Sequence, residues 1–130
     1  MVTVFLADDN NNIRKRLVEL LGDVDGVEII GQVADTESAI QGIQSLKPDV
    51  VILDIRMPGG NGIQVLDAVR KVDSDVLIIM LTAFPTDQYR VKCHQSGADF
   101  FFDKAKDFER VAEIVTIIQD KSHFCEVIIK

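Results

Sequence analysis

Three carboxylates, a hydroxyl and an ammonium follow short apolar runs that are far apart in the chain. Asp8-Asp9 ends Val2–Ala7, Asp54 ends Val50–Leu53, Thr82-Ala83 ends Val76–Leu81, and Asp103-Lys104 ends Phe100–Phe102. If these runs are neighbouring strands of an open parallel sheet, their C-terminal ends share the edge where such sheets carry a ligand crevice. Carboxylates gathered there repel one another and raise each other's pKa. A divalent cation relieves the repulsion. Carboxylates, a backbone carbonyl and waters form the all-oxygen set that Mg²⁺ accepts. No His or Cys stands beside these positions, which argues against zinc. Asp8, Asp9 and Asp54 are therefore the expected Mg²⁺ ligands, with the backbone carbonyl of Arg56 as a further one. Taken singly, each aspartate is explained as a loop residue or helix cap. The arrival of the whole set at one edge is what indicates a site.

The elements that would gather these residues are legible as alternating patterns. Five β-branched or aliphatic runs, Val2–Ala7, Val27–Val33, Val50–Leu53, Val76–Leu81 and Phe100–Phe102, alternate with five amphipathic segments. Runs that are apolar on both faces suit a parallel sheet covered by helices on each side. Ile13, Leu17, Leu20 and Leu21 form one helical stripe, with N-caps offered by Asn10 to Asn12 and a stop at Gly22. Thr36 is expected to cap a helix carrying Ala39, Ile40, Ile43 and Leu46, which Pro48 ends. Ile63, Leu66 and Val69 make the next stripe, after the loop Pro58-Gly59-Gly60-Asn61-Gly62. Thr86 to Ser96 is weakly amphipathic through Tyr89, Val91 and Cys93, with Gly97 as its stop. Phe108, Val111, Ala112, Val115 and Ile118 make the last helix. The (βα)₅ pattern implies a three-layer sandwich with right-handed crossovers. Residues 1–120 are expected to be one domain and 121–130 a tail, in which Glu126-Val127-Ile128-Ile129 reads as strand-like.

Size and charge narrow the function. A chain of 130 residues that is 47 % hydrophobic fits one domain with a real core. A net charge of −7 opposes direct contact with nucleic acid or an anionic membrane surface. The longest apolar run, Val76–Leu81, is far shorter than the roughly 20 residues of a membrane span. Met1-Val2-Thr3 leads directly into a strand-like run without a basic n-region, so the expected location is cytoplasmic. Cys93 and Cys125 are expected as reduced thiols. His94 and His123 are assigned no role.

Asp8-Asp9, Asp54-Ile-Arg-Met-Pro-Gly-Gly-Asn-Gly62, Thr82-Ala83 and Lys104, in that order and spacing, resemble the signature of response-regulator receiver domains. The resemblance covers roughly Val2 to Gln119. It implies a flavodoxin-like doubly wound fold with a parallel five-stranded sheet of order 2-1-3-4-5. It implies a phosphorylation switch of a two-component phosphorelay, not an enzyme acting on other molecules. Asp54 would accept a phosphoryl group from a sensor histidine kinase or phosphotransfer protein. Asp8 and Asp9 would hold Mg²⁺, Lys104 would pair with phosphoryl oxygens, and Thr82 would swing to hydrogen-bond them. Phe101, three before the lysine, matches the switch aromatic. Thr86 to Phe101 with the last helix would face a downstream protein partner, and such domains often form homodimers through the face near strand five.

Position 101 is Phe where the family has Tyr, so no phenol can hydrogen-bond the partner face, and two further departures stand out. Ala105 follows the lysine where the family often has proline, which leaves open the geometry of that loop. Arg56 and Phe84, each two residues beyond a site residue, are large and would shield an acyl phosphate from water. Rival readings fare worse. A flavodoxin-type binder needs a Ser-, Thr- and Gly-rich loop after strand one with free N–H groups, and here that loop is Asp8-Asp9-Asn10. No G-x-G-x-x-G or G-K-[ST] occurs. An aspartate-based phosphohydrolase needs an acid where Arg56 stands. An unphosphorylated scaffold has no use for the full acidic set. The N-terminal part of a longer DNA-binding regulator remains a distinct alternative.

Overall fold

Both-face apolar runs become central strands, and stripes at helical spacing cover them. The computed structural model describes all residues except Ser74 and Lys130, and describes side chains as far as Asp120. In chain order the elements are β1 (Val2–Ala7), α1 (Asn11–Gly22), β2 (Val27–Val33), α2 (Thr36–Leu46), β3 (Val50–Leu53), β4 (Arg56–Met57), β5 (Gly60–Asn61), α3 (Gly62–Val72), β6 (Leu77–Thr82), α4 (Asp87–Gln95), β7 (Phe100–Asp103) and α5 (Arg110–Ile129). The main sheet runs β2-β1-β3-β6-β7 with every pairing parallel. Counted over its five strands, this is the expected order 2-1-3-4-5. β4 and β5 add a small antiparallel hairpin inside the stretch read as a plain loop.

Alternation along each strand divides the core between the two faces. Phe5 and Ala7 of β1 join Ala39 and Ile43 of α2, Leu66 and Val69 of α3 and Cys93 of α4. Val2, Val4 and Leu6 join Leu17 and Leu21 of α1 and Val111 and Val115 of α5. Helices α2, α3 and α4 thus lie on one face, and α1 and α5 on the other.

Three local expectations need correction. Thr36 does not cap α2. The cap is Asp35, which is extended, and its carboxylate accepts from the N–H and hydroxyl of Ser38 at 2.8 and 2.9 Å. A carboxylate reaches two donors at once, which the shorter Thr hydroxyl cannot. Gly22 is the last residue of α1 and not a left-handed stop, and the first positive φ follows at Gly26. The backbone of α5 carries through Glu126–Ile129, so the strand-like reading of the tail fails. No Gly or Pro interrupts residues 110–129, and four residues are too few to set a two-residue period against an established helix. The side chains of Cys125 and His123 lie outside the described residues.

Phe5 explains two glycines. The β1–β2 register slips between Val4 and Phe5, which brings Phe5 level with Gly31. A Cβ on Gly31 would stand 2.7 Å from the Phe5 ring, and one on Gly42 of α2 would stand 2.5 Å from it. The ring is fully buried and has no free side to retreat to. Gly42→Ala should therefore destabilise the protein by about 1–3 kcal/mol, although alanine is the better helix former by about 1 kcal/mol. Gly22→Ala, with nothing within 4 Å of the added atom, should be neutral or stabilising. Urea denaturation midpoints compare the two, and a Gly42→Ala protein as stable as Gly22→Ala would contradict this packing.

Candidate functional site

Strand register places the acidic residues before any side chain is considered. Ala7 pairs with Leu53, and Leu53 with Met80. Asp8 and Asp54, the next residues along, therefore leave the sheet side by side, and the Asp54 N–H donates to the Ala7 carbonyl at 2.9 Å. β6 and β7 run further, to the pair Thr82 and Asp103, where the Lys104 N–H donates to the Thr82 carbonyl at 2.9 Å. From there the lysine side chain reaches back over the edge. Its Nζ is 2.7 Å from Asp8 Oδ2 and 3.2 Å from Asp54 Oδ2. Asp8, Asp9 and Asp54 each offer an oxygen, all within 4.8 Å of one another, with Asp8 and Asp54 buried and Asp9 exposed. The structure thus brings together the four charged residues singled out in the sequence.

Backbone contacts fix these groups. Asn10 caps α1 through Oδ1, and its own N–H donates to Asp8 Oδ1 at 2.9 Å. The Arg14 guanidinium donates to the Asp8 carbonyl and to Asn11 Oδ1, tying α1 to the loop that carries the aspartates. Asp54 Oδ1 accepts from the Ile55 N–H at 2.8 Å. The first turn of α3 lies against the Asp54 backbone. Gly62 N–H donates to Ile55 O at 2.6 Å, and a Cβ at Gly62 would collide with the Asp54 carbonyl oxygen. The reciprocal cap between Asn61 and Gln64 starts that helix. Arg14 and Gly62 were missed as positioning residues. The loop glycine was the available signal for Gly62, whereas nothing in the sequence distinguishes Arg14 from Lys15 or Arg16.

The turn after β7 resolves the question raised by Ala105. Asp103 Oδ1 accepts from the Ala105 N–H at 2.8 Å, and Asp107 Oδ2 accepts from the Asp103 N–H at 3.0 Å. Two aspartates hold the turn that a proline would otherwise stiffen, and its peptide bonds are trans.

Burial, reinforced by the negative charge of Asp8, pushes the Asp54 carboxyl up to about 6, against the opposing pull of Lys104. Its own ammonium partner therefore does not fully offset the site's electrostatic cost. With all groups ionised, three carboxylates and one ammonium leave two negative charges, which a divalent cation balances. Oxygen-only donors of this number fit Mg²⁺ as ligands when waters complete the shell.

Thr82 is fully buried at the end of β6, and its Oγ1 accepts from the Phe84 N–H at 3.0 Å. Phe84 is 43 % exposed, and the Arg56 guanidinium stacks over its ring at 3.7 Å. The two large residues flanking the site are thus in contact with each other. The Arg56 carbonyl lies in the β4–β5 hairpin, two residues beyond Asp54. Phe101 is half-buried against the cluster that includes Met80 and Cys93. Cys93 is buried and unpaired, and burial, followed by the charge of Asp67, raises its thiol to about 11. Among the described residues no helix is long and apolar enough to cross a membrane.

A family model described as the response regulator receiver domain matches residues 4–116. The chain is 35 % identical over 117 residues to an uncharacterized response regulatory protein of Vibrio cholerae, covering 88 % of this chain and 47 % of that one. It is 25 % identical over 118 residues to the response regulator GacA of Pseudomonas viridiflava, covering 91 % and 55 %. Among solved structures, the CheX-CheY-BeF3-Mg²⁺ complex of Borrelia burgdorferi matches with a TM-score of 0.77 and 30 % identity, over 88 % of this chain and 89 % of that one. The chain spans about half the length of the curated relatives it matches.

The raised Asp54 carboxyl makes a signed prediction. The folded protein binds this proton more tightly than the unfolded chain, so the group's stabilisation is full below about 3.8 and lost as pH rises through about 6. In chelator-treated protein, Asp54→Asn should be more stable than the parent at pH 8 by about 2 kcal/mol, and the gap should close towards pH 4. Urea unfolding at the two pH values measures this, and a pH-independent difference would refute it.

Proposed function

The chain belongs to the response regulator receiver domain family, and from that membership and the site's geometry we propose that Asp54 is the phospho-acceptor of a two-component signalling switch. The observation that carries this is the Lys104 ammonium reaching from the far end of β7 to Asp54 and Asp8 together. An Asp54 oxygen attacks phosphorus in the phosphohistidine of a sensor histidine kinase or phosphotransfer protein. The P–N bond breaks and its electron pair stays on the imidazole nitrogen, which takes up a proton. Phosphoryl transfer of this kind asks for alignment and charge balance more than for covalent machinery.

Each residue contributes one part. Asp54 is mostly ionised at neutral pH, because its raised pKa of about 6 still lies below 7. Its backbone is fixed by Ala7 and Gly62, which limits the directions of attack. Lys104 supplies a fixed positive charge beside the incoming oxygens. Asp8, Asp9, Asp54 and the Arg56 carbonyl would hold Mg²⁺, which would supply charge neutralisation and polarise the transferred group. Thr82 accepts from Phe84 but keeps its own hydroxyl proton, which is available for a phosphoryl oxygen.

The signal then passes by population shift. Thr82 and Phe101 relay the new arrangement to the face formed by Thr86 to Phe101 with α5. A downstream protein partner, or a second copy in a homodimer, reads that face. The protein modifies only itself and works in the cytoplasm. Its own net charge of −7 opposes direct nucleic-acid contact.

Incubation with acetyl phosphate and Mg²⁺ should add one phosphoryl group by intact mass, and Asp54→Asn should add none. Equal labelling of the variant would overturn the assignment.

The Arg56–Phe84 stack supports slow self-dephosphorylation, because a hydrolytic water must pass it. Arg56→Asn and Phe84→Glu should each release phosphate faster, by about five-fold if the stack contributes the ~1 kcal/mol of an exposed cation–π pair. Unchanged rates in a phosphate-release time course would sink the idea.

A further inference from the structure

β7 is an edge strand of the main sheet. Edge strands present unpaired backbone groups that native proteins cover. Here Arg90 of α4 provides the cover. Its guanidinium carbon lies 4.6 Å from the centroid of the Phe101 ring, and its Nη1 donates a long hydrogen bond to the Phe101 carbonyl at 3.5 Å. One side chain therefore grips both the ring and the backbone of the same residue. The ion pairs found among the described residues do not involve Arg90, so this grip is its principal interaction there.

The grip matters because α4 is thinly anchored. Cys93 is its one fully buried side chain, whereas α3 buries Ile63, Val65, Leu66 and Val69 as well as Gly62. Val91, expected to help pack this helix, is 55 % exposed. In a helix with so little buried surface, a single added tie weighs heavily on its position.

We propose that Arg90 is a latch that holds Phe101 and α4 in the arrangement seen here, in which Thr82 Oγ1 is engaged by the Phe84 N–H, and against the arrangement in which Thr82 turns to a phosphoryl group. This deepens the functional reading above and rests on it for the role of Phe101. A phenylalanine has no hydroxyl with which to hold one rotamer, so the cation over its face and the bond to its carbonyl do that work. Turning the ring breaks the stack, and the latch thereby opposes the phosphorylated arrangement. Linkage requires that whatever disfavours that arrangement also weakens a phosphoryl mimic that favours it. For an exposed stack the effect is about two- to five-fold.

The test uses the full chain carrying 4-fluorophenylalanine, with the Phe101 resonance assigned through Phe101→Leu. In the free protein, Arg90→Ala should shift or broaden the Phe101 resonance and leave that of fully buried Phe5 in place. Arg90→Ala should also bind beryllofluoride with Mg²⁺ about two- to five-fold more tightly than wild type, with Arg90→Lys between them. Should Arg90→Ala fail to fold, Arg90→Lys, which keeps the charge but loses the planar fork, carries both measurements. An unmoved Phe101 resonance overturns the latch, and so does a moved resonance with unchanged affinity. Failure of the wild type to bind beryllofluoride instead refutes the phospho-acceptor reading, and the latch falls with it; failure of the latch alone leaves wild-type binding intact.

Discussion

The ammonium of Lys104 sits against the carboxylates of Asp8 and Asp54, and much of the surrounding structure serves to hold that arrangement against repulsion. Two buried carboxylates and an exposed third would separate, or take up protons, if their backbones were free to move. They are not free. Asp8 and Asp54 leave adjacent strands whose register is set by apolar residues on both faces, so separating the charges means breaking the centre of the sheet. Lys104 reaches them because β7 outruns β3 at that edge. The lysine offsets the repulsion only in part, and the Asp54 carboxyl still rests near 6. Such a site is strained electrostatically and rigid mechanically, a combination that favours binding of cations and of groups that bring cations with them.

Rigidity has its own cost, and it falls on residues that carry no charge. Gly62 must lack a side chain because the start of α3 lies against the Asp54 carbonyl. Arg14 spends its guanidinium on a backbone carbonyl and a loop asparagine. Asp103 and Asp107 turn inward to hold the loop that follows β7. None of these meets a ligand by its own chemistry. Each removes a freedom that the charged residues would otherwise use to relax.

This division explains what was legible in the sequence. Asp8, Asp9, Asp54, Thr82 and Lys104 could be found because a strand's end is readable from its apolar run, and parallel topology sends all such ends to one edge. The sheet order came instead from the family resemblance, because apolar runs do not by themselves say which strands are neighbours. Arg14 could not be found, because its role depends on which way one arginine among several basic neighbours points. The cap of α2 was misassigned between Asp35 and Thr36, a choice that turns on the conformation of one extended residue. The tail was misread as a strand because three β-branched residues after Glu126 fit both periods, and helix continuation from Arg110 decides between them. Local chemistry was visible where topology constrained it and hidden where a single rotamer or dihedral did.

The same reasoning shows why α4 differs from the other helices around the site. Its weak stripe was apparent in Tyr89, Val91 and Cys93, and the structure buries only the last of these fully. Yet α4 begins close to the charge cluster. Lys104 N–H bonds the Thr82 carbonyl, the Thr82 hydroxyl accepts from Phe84, and Thr86 caps the helix. A rigid, charged edge is thus joined by three short steps to the helix with the fewest buried side chains among the described residues. In α3, anchored by a continuous apolar face, a small displacement at the N-terminus would be resisted along its length. In α4 far less packing opposes it, so ties such as Arg90 on Phe101 decide where the helix rests. The soft element is therefore not a flaw beside a rigid site, because without it a change of charge at the edge would have nothing to move.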